Sequence, residues 1–332
     1  MNNNLNLANK NALVEFIDSV LVSHTAFEYA GTILHQACEL APNLREPTGY
    51  FIVGESRTGK SRLVEEVSNA YPTVRTPHGL ISYVIKVIVP SKPTVKGLAS
   101  EILHALGDPL AYKGTENDMT RRILNLLKVC QTRLLFLDEF QHLVDKSTKY
   151  NVVHHVSDWL KNLLSSSKIV TVLVGLPYGQ AVLRQNEQLR GRFTNTITLS
   201  RFDWSIEAQR GEFLGLLDGF NEILSKKFSL PDLGSEEMGV RFYLASGGLT
   251  GYVFNIIRNS AWNAIYANRT TITLEDFDVG YQRAISSEDQ QRVSPFGKKF
   301  DKSDGQAFAK ALLVGLRTED YVPSAFSKIK KY

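Results

Sequence analysis

The chain has 332 residues, of which 43% are hydrophobic and 22% are charged, and its formal net charge is +4. This composition excludes a disordered or fibrous chain and leaves room for one large and one smaller folded domain. The small positive charge is compatible with nucleic-acid binding but does not require it.

The N-terminal sequence and the cysteines bear on the compartment. The start MNNNLNLANK lacks the basic and apolar regions of a signal peptide, and no apolar run is long enough to span a membrane. The two cysteines, Cys38 and Cys130, lie in apolar helical contexts, as buried thiols do in a reducing compartment. We therefore expect a cytoplasmic protein with no membrane segment.

Two helices are predicted before the first strand. The stretches LVEFIDSVLV and HTAFEYAGTILHQACELA carry apolar residues at three- and four-residue spacing. The strand that follows is the short apolar run GYFIV, Gly49 to Val53. We treat residues 1–48 as an N-terminal helical segment.

The stretch GESRTGKS then satisfies the pattern G-x-x-x-x-G-K-[ST] in full, between a strand and the helical run RLVEEVSNAY. This strand–loop–helix context is the one that a phosphate-binding loop requires, and it makes an accidental glycine-rich turn the weaker alternative. Its glycines let successive N–H groups point at an anion, and the helix adds its positive dipole end. The predicted nucleotide-binding residues are Gly54, Glu55, Ser56, Arg57, Thr58, Gly59, Lys60, Ser61 and Arg62.

A second motif completes the chemistry. The apolar run Leu134–Leu137 predicts a strand of a parallel sheet, and it ends in Asp138 and Glu139, where such sheets bind ligands. Lys60 is predicted to reach the β- and γ-phosphates of ATP. Ser61 and Asp138 are predicted to hold magnesium, and Glu139 to polarise the attacking water as general base. Together the motifs predict an ATPase.

The remaining pattern gives the fold class. Further strands are predicted at Ile81–Pro90, Lys168–Pro177 and TNTITLS, with helices between them, one of them capped by Thr94. We therefore predict an α/β P-loop NTPase core, residues 49–204, with a five-stranded, mainly parallel sheet. Residues 205–285 are predicted to form a small all-helical lid. Residues 286–332 are predicted to be a linker, rich in polar residues as far as Gln306, and a C-terminal partner-binding tail.

The combination of phosphate loop, Asp-Glu strand and helical lid resembles the AAA+ ATPases. More narrowly, the chain resembles the TnsC/TniB family, the ATPase regulators of Tn-seven-like and related DNA transposons. The resemblance rests on GESRTGKSRLVEEV, VPSKPTVKGLASEILHALGDP, LLFLDEFQHLV, VLVGLP and QLRGRF. It implies a slow ATPase that forms a ring or helical oligomer on double-stranded DNA and connects a target-selection protein to the transposase.

The resemblance also implies an arginine finger that reaches the γ-phosphate on a neighbouring subunit. Arg190 and Arg192 are the candidates and Arg192 is preferred, with a helix-end arginine that stabilises the dipole as the alternative. Two departures stand out. The fourth strand lacks the usual polar residue at its end, with Thr171 lying earlier, and Gly251 stands near the usual lid arginine, with Arg258 further along. These departures favour a switch over a motor.

Four lysines on turns are candidate DNA contacts: Lys92, Lys96, Lys146 and Lys149. Lysines on loops give sequence-independent phosphate contacts, although solvated surface lysines are an equal alternative for each of them.

Three alternatives also stay open at this point. The N-terminal helices either cover the sheet or frame the adenine pocket or a neighbour. The tail either docks a partner or packs on its own lid. The whole protein is alternatively a clamp-loader-like, initiator-like or signalling ATPase that acts on protein partners, or a scaffold that binds ATP without hydrolysis, which Asp138 and Glu139 argue against.

Overall fold

A computed structural model describes residues 6–45, 49–77, 79–144, 150–185, 187–285, 294–298 and 300–301. The described chain divides into two compact units. One, which we call the sheet unit, contains Thr25–Leu199, and the other, the helical unit, contains the residues up to His24 and those from Ser200 onward. The described residues include no helix with both the length and the apolar content that crossing a membrane requires.

Helices and strands are interspersed as far as Thr198, and the elements after it are helices. In chain order they are α1 (Leu7–Ser19), α2 (Thr25–Leu40), β1 (Gly49–Val53), α3 (Lys60–Ala70), β2 (Val74–Thr76), β3 (Gly79–Ile81), β4 (Val84–Ile88), α4 (Val95–Ala105), α5 (Glu116–Val129), β5 (Leu134–Asp138), α6 (Tyr150–Ser167), β6 (Val170–Gly175), α7 (Gln180–Gln185), α8 (Glu187–Arg190), β7 (Asn195–Thr198), α9 (Glu207–Leu224), α10 (Glu236–Ser246), α11 (Thr250–Tyr266) and α12 (Leu274–Ala284).

The sheet has five strands in the order β4-β5-β6-β1-β7, and every pairing is parallel. Val53 is in register with Gly175, and Asp138 is in register with Ile88, so the carboxyl ends of four neighbouring strands lie at one edge. Strands β5 and β6 are buried along their whole length, which explains their continuous apolar runs. The predicted five-stranded parallel sheet is confirmed.

The helices of the sheet unit pack where their apolar spacing predicts. Leu98 and Ile102 of α4, Ile123 of α5 and Leu160 of α6 share one core with strand residues such as Leu135. The Thr94 side chain accepts a hydrogen bond from the Gly97 N–H at 2.9 Å, so it caps α4 as predicted. This cap fixes the start of α4 at the same edge of the sheet as Asp138.

One local prediction differs from the structure. The predicted strand Ile81–Pro90 is two elements, because Ile81 pairs with Val74 in the antiparallel hairpin β2–β3 and β4 begins only at Val84. The hairpin is mostly exposed and each strand has three residues, so it has no apolar alternation to reveal it. The stretch GQAVLRQNEQL, predicted as a helix, is helical at its described residues from Gln180 to Leu189, in α7 and α8, while residue 186 lies outside the described residues.

The helical unit is built from α1 and α9–α12, which confirms a helical part after the sheet. Its core contains Phe213, Phe242 and Phe277, and α1 adds Ile17 and lies against α11. The periodicity of α1 shows that it is amphipathic but not which unit covers its apolar side.

The stretch 286–306, predicted as a linker from its polar composition, contributes part of this core. Phe296 is 3% exposed and packs against the rings of Phe242 and Phe277. The buried Arg241 guanidinium donates a hydrogen bond to the Pro295 carbonyl oxygen at 2.7 Å. Ser294–Lys298 is therefore anchored to the helical unit. The predicted tail, 307–332, lies outside the described residues.

Candidate active site

Both glycines of the phosphate loop are required by its geometry. The Gly54 N–H donates to the Gly175 carbonyl at 3.3 Å, and a Cβ on Gly54 would collide with the Leu199 carbonyl. Gly59 has φ = +92° and caps α3, a left-handed conformation that favours glycine. The loop therefore lies between the ends of β6 and β7 and delivers Lys60 and Ser61 as the first two residues of α3.

Lys60 folds back over the loop that precedes it. Its ammonium donates to the carbonyl oxygens of Gly54 at 2.8 Å and Glu55 at 2.5 Å. Burial lowers the pKa of Lys60, while the negative charges of Glu139, Asp138 and Glu55 act to raise it. Sequence-distant acidic residues thus act directly on the loop lysine.

The other residues of the predicted loop differ in their exposure. Thr58 is buried and its hydroxyl donates to the Glu55 carbonyl at 2.9 Å, which closes the turn. Arg57 has φ = +69°, a left-handed conformation for a non-glycine residue. Ser56, Arg57 and Ser61 are exposed, and Arg62 lies 3.7 Å from Glu65 on α3. The Ser61 hydroxyl is therefore open to a ligand.

Asp138 ends β5 as a buried carboxylate with few compensating contacts. It is 4% exposed, it accepts the Glu139 N–H at 2.9 Å, and the Lys86 ammonium is 3.9 Å from it. Burial raises the pKa of Asp138 above its ordinary value, against the lowering effects of the Glu139 N–H and Lys86. A carboxylate in this state is stabilised by an added cation.

Glu139 turns away from the strand in a left-handed conformation, with φ = +56°. Its carboxylate accepts a hydrogen bond from the Gln141 side-chain amide, which belongs to the short 3-10 helix Phe140–Val144. The Gln141 carbonyl oxygen in turn accepts the Leu176 N–H at 3.1 Å, just after β6. Glu139 is therefore held by a side chain rather than by the strand that leads to it.

The site fits a nucleotide with magnesium. The described residues contain no group of three or more His, Cys, Asp or Glu able to enclose a metal ion. An ion between Ser61 and Asp138 would take its remaining ligands from phosphate oxygens and water, as Mg²⁺ does in nucleotide sites. Its charge would offset the burial of Asp138.

The arginine-finger candidates lie at the other end of the sheet. The Arg192 carbonyl accepts the N–H of Gly49, the first residue of β1, at 3.0 Å, and its guanidinium donates to the Ser165 hydroxyl at 2.8 Å. Arg190 ends α8 and is exposed. The length of β1, about 16 Å, separates Gly49 from the loop of the same chain.

The structure brings some predicted residues together and leaves others apart. Lys92 and Lys96 are exposed beside the start of α4, whereas Lys146 and Lys149 lie outside the described residues. Thr171 is in register with Gly49 at the amino end of β6, so its hydroxyl is far from the phosphate loop. The Arg258 guanidinium packs 4.9 Å from the Trp262 ring of its own helix.

Three residues of the site were missed by sequence analysis: Gln141, Lys86 and Gly175. Gln141 lies two residues after Glu139, and this proximity was the available signal. Lys86 lies among the apolar residues of β4 and reaches Asp138 only because β4 and β5 pair in this register. Gly175 leaves room for Gln141, because a Cβ there would lie 2.6 Å from its carbonyl oxygen.

Comparisons with known proteins agree with this geometry. The family model described as bacterial TniB protein matches residues 16–204, more than half of the chain. No curated protein sequence matches the chain.

Solved structures share the fold at low identity. Orc2 of Aeropyrum pernix, in ADPNP and ADP complexes, is 15% identical with a TM-score of 0.57, over 82% of this chain and 72% of that chain. Orc1 of the same organism, in complex with DNA, is 13% identical with a TM-score of 0.56, over 82% and 68%. A Walker-type ATPase of Pyrococcus abyssi is 16% identical with a TM-score of 0.52, over 92% and 80%. These likenesses confirm a P-loop NTPase core followed by a helical part.

Proposed function

The chain belongs to the TniB family and is an AAA+ ATPase, and we propose that it acts as an ATP-gated switch on double-stranded DNA in transposition. One observation carries the proposal: the phosphate loop follows β1, the acidic pair Asp138 and Glu139 stands at the end of β5, and both strands end at the same edge of the parallel sheet. A binding-only scaffold needs no such pair. The switch connects a target-selection protein to the transposase.

In this proposal each residue of the site has a separate task. Lys60 leaves the loop carbonyls to neutralise the β- and γ-phosphates, which the loop N–H groups and the start of α3 also bind. The Glu139 carboxylate orients the attacking water and accepts its proton. Ser61 and Asp138 would hold magnesium when the nucleotide is bound, and the ion would supply positive charge to the phosphates.

The positions of the two arginines support self-association. Arg192 is attached to the start of β1, so it cannot serve the phosphate loop at the other end of the same strand. A guanidinium at this position is suited to the γ-phosphate of a neighbouring subunit, in a ring or helical oligomer. We propose Arg192 for this role, with Arg190 as the second candidate.

Lys92 and Lys96 support DNA binding at the edge of the sheet that carries the nucleotide site. Both are exposed, and they flank the capped start of α4. Orc1 of A. pernix, which has this fold, was solved in complex with DNA. We propose that these lysines, with Lys146 and Lys149, contact the phosphates of double-stranded DNA.

The lysine contacts are tested with a charge reversal. Replacing all four lysines with glutamate should weaken ATP-dependent binding to a labelled duplex and flatten its dependence on salt. Reversing Lys226 and Lys227, which follow α9, is the matched control. Unchanged affinity and salt slope in the fourfold variant would remove these lysines from the DNA interface.

Partner binding is assigned to residues 307–332, with Tyr321, Phe326 and Tyr332 as apolar anchors and the transposase as the partner. A second function, an initiator-like loader, is favoured by the likeness to the Orc proteins. Deletion of 307–332 separates the two. A transposition switch should lose transposase pull-down and keep ATP-dependent DNA binding, whereas a loader should show no transposase binding in the parent chain.

The switch itself is tested with three variants measured side by side. Lys60→Ala should abolish assembly on DNA, and Arg192→Ala should weaken assembly and turnover, while Arg121→Ala on the exposed side of α5 is the control. Glu139→Gln should lower turnover by about 100-fold or more and lengthen the lifetime of the DNA complex. Glu139→Gln complexes no longer-lived than the parent complexes would contradict the switch, and full turnover would contradict the role of Glu139.

A further inference from the structure

The Gln141 side chain connects two parts of the site that the sequence keeps apart. It is 4% exposed, so its amide is confined to the contacts it makes. Its nitrogen donates to the Glu139 carboxylate and its oxygen accepts the Leu176 N–H at 3.1 Å. No other rotation of the amide satisfies both partners, because only the nitrogen donates and only the oxygen accepts.

The surroundings of Gln141 are shaped to hold this bridge. Gly175 provides the space, since a Cβ there would lie 2.6 Å from the Gln141 carbonyl oxygen. The next residue, His142, contacts the Val89 carbonyl through its Nδ1 at 2.7 Å, which ties the 3-10 helix to the end of β4. The left-handed backbone of Glu139 directs the chain into this helix.

The bridge also lies on a hydrogen-bonded path to the phosphate loop. The Gly54 N–H donates to the Gly175 carbonyl, and Leu176 follows Gly175 directly. The end of β6 thus connects the phosphate loop to Gln141 and, through Gln141, to the Glu139 carboxylate. The strand end itself carries no polar side chain for this purpose, since its sequence is VLVGLP.

We propose that Gln141 is a positioning residue for ATP hydrolysis, which holds the Glu139 carboxylate and couples it to the end of β6 beside the phosphate loop. It takes the place of the polar side chain that β6 lacks. Its contribution falls on the chemical step, because it acts through the base and not on the nucleotide. Its loss lowers kcat and leaves nucleotide affinity unchanged.

Two substitutions separate positioning from a structural role. Gln141→Leu removes both contacts, whereas Gln141→Glu keeps an acceptor for the Leu176 N–H and loses the donor to Glu139. Both variants should lower kcat by about 10- to 100-fold. Their dissociation constants for a fluorescent non-hydrolysable ATP analogue should stay within about twofold of the parent value.

The matched control is Gln209→Leu, since the Gln209 side chain likewise accepts a backbone N–H, that of Asp203 at 2.8 Å, but in the helical unit. It should leave kcat unchanged. Parental kcat in Gln141→Glu would overturn the proposal, as would a loss of nucleotide affinity as large as the loss of kcat. If Gln141→Leu fails to fold, Gln141→Glu still decides, because it keeps the contact to Leu176.

Discussion

Asp138 in the sheet unit and Asp276 in the helical unit are both buried, and their carboxylates are compensated in opposite ways. Asp276 in the helical unit is 1% exposed and accepts hydrogen bonds from Arg269, Asn263 and Thr273 on both carboxylate oxygens, at 2.8–3.0 Å. Asp138 in the sheet unit is 4% exposed, and its neighbours are one N–H and an ammonium 3.9 Å away.

The pKa values follow this difference. Burial acts to raise the pKa of Asp276, but the hydrogen bonds from Arg269, Asn263 and Thr273 outweigh it and the pKa is lowered. Burial dominates at Asp138 and its pKa is raised. Asp276 is therefore fully paired within the fold, whereas Asp138 is under-compensated, and we propose that Asp138 binds a ligand that the chain itself does not supply.

The largest expected effect comes from Asp138→Asn. The amide keeps an oxygen for the Glu139 N–H but loses the charge that would bind magnesium, so ATP turnover should fall by at least about 100-fold. The free energy of unfolding without nucleotide should stay the same or rise by about 1 kcal/mol, because a poorly compensated buried charge is removed. Steady-state ATP hydrolysis measures turnover, and calorimetry measures the free energy of unfolding.

Asp218→Asn, a change of the same kind at an exposed position on α9, is the control for this variant. It should alter neither turnover nor stability. A clear loss of stability in Asp138→Asn would show that Asp138 is needed for folding, and the contrast between the two buried aspartates would then disappear.

The same contrast explains which parts of the molecule the sequence predicts. The phosphate loop and the Asp-Glu strand are local patterns, and a local pattern fixes its own strand, turn or helix. Strands β5 and β6 are recognisable because each is buried along its whole length. The parallel sheet then follows from the alternation of strands and helices.

Contacts between distant segments are not local patterns, and these were missed. Phe296 fills an aromatic cluster with Phe242 and Phe277, but it sits within a polar stretch whose composition predicts a linker. The role of Gln141 can be recognised only in the folded chain, where β6 lies beside β5 and brings the Leu176 N–H to the Gln141 side-chain amide. Such positions become visible when the fold is known, because their partners are tens of residues away.

The next effect in size concerns Asp276→Asn. The new NH₂ group faces the donors that hold the carboxylate, so the Arg269 ion pair is lost and the Thr273 capping box is weakened. Removing one partner of a buried pair costs roughly 3–5 kcal/mol, and the 40% exposure of the Arg269 side chain reduces this to about 2–3 kcal/mol. Urea unfolding measures the change.

Nucleotide affinity is the internal control for Asp276→Asn. The phosphate loop belongs to the sheet unit, so the variant should bind the ATP analogue normally at temperatures where it is folded. A loss of stability no larger than that of Asp218→Asn would contradict the structural role of the Asp276 network.

The smallest effect is a difference in pH dependence, and its sign separates the two aspartates. The pKa of folded Asp276 is lowered, so its stabilisation is complete above the ordinary value of about 4 and is lost as the pH falls below it. The stability deficit of Asp276→Asn should therefore shrink below about pH 4. The pKa of Asp138 is raised in the folded chain. As the pH falls towards about 4, the Asp138 carboxylate is therefore protonated at a higher pH in the folded chain than in the unfolded chain. Any stability advantage of Asp138→Asn should accordingly shrink between neutral pH and about pH 4. Urea unfolding from neutral pH to below about pH 4 gives the free energy of unfolding of each variant minus that of the parent. As the pH falls, this difference should rise for Asp276→Asn and fall for Asp138→Asn. A change in the same direction for both variants would contradict the comparison.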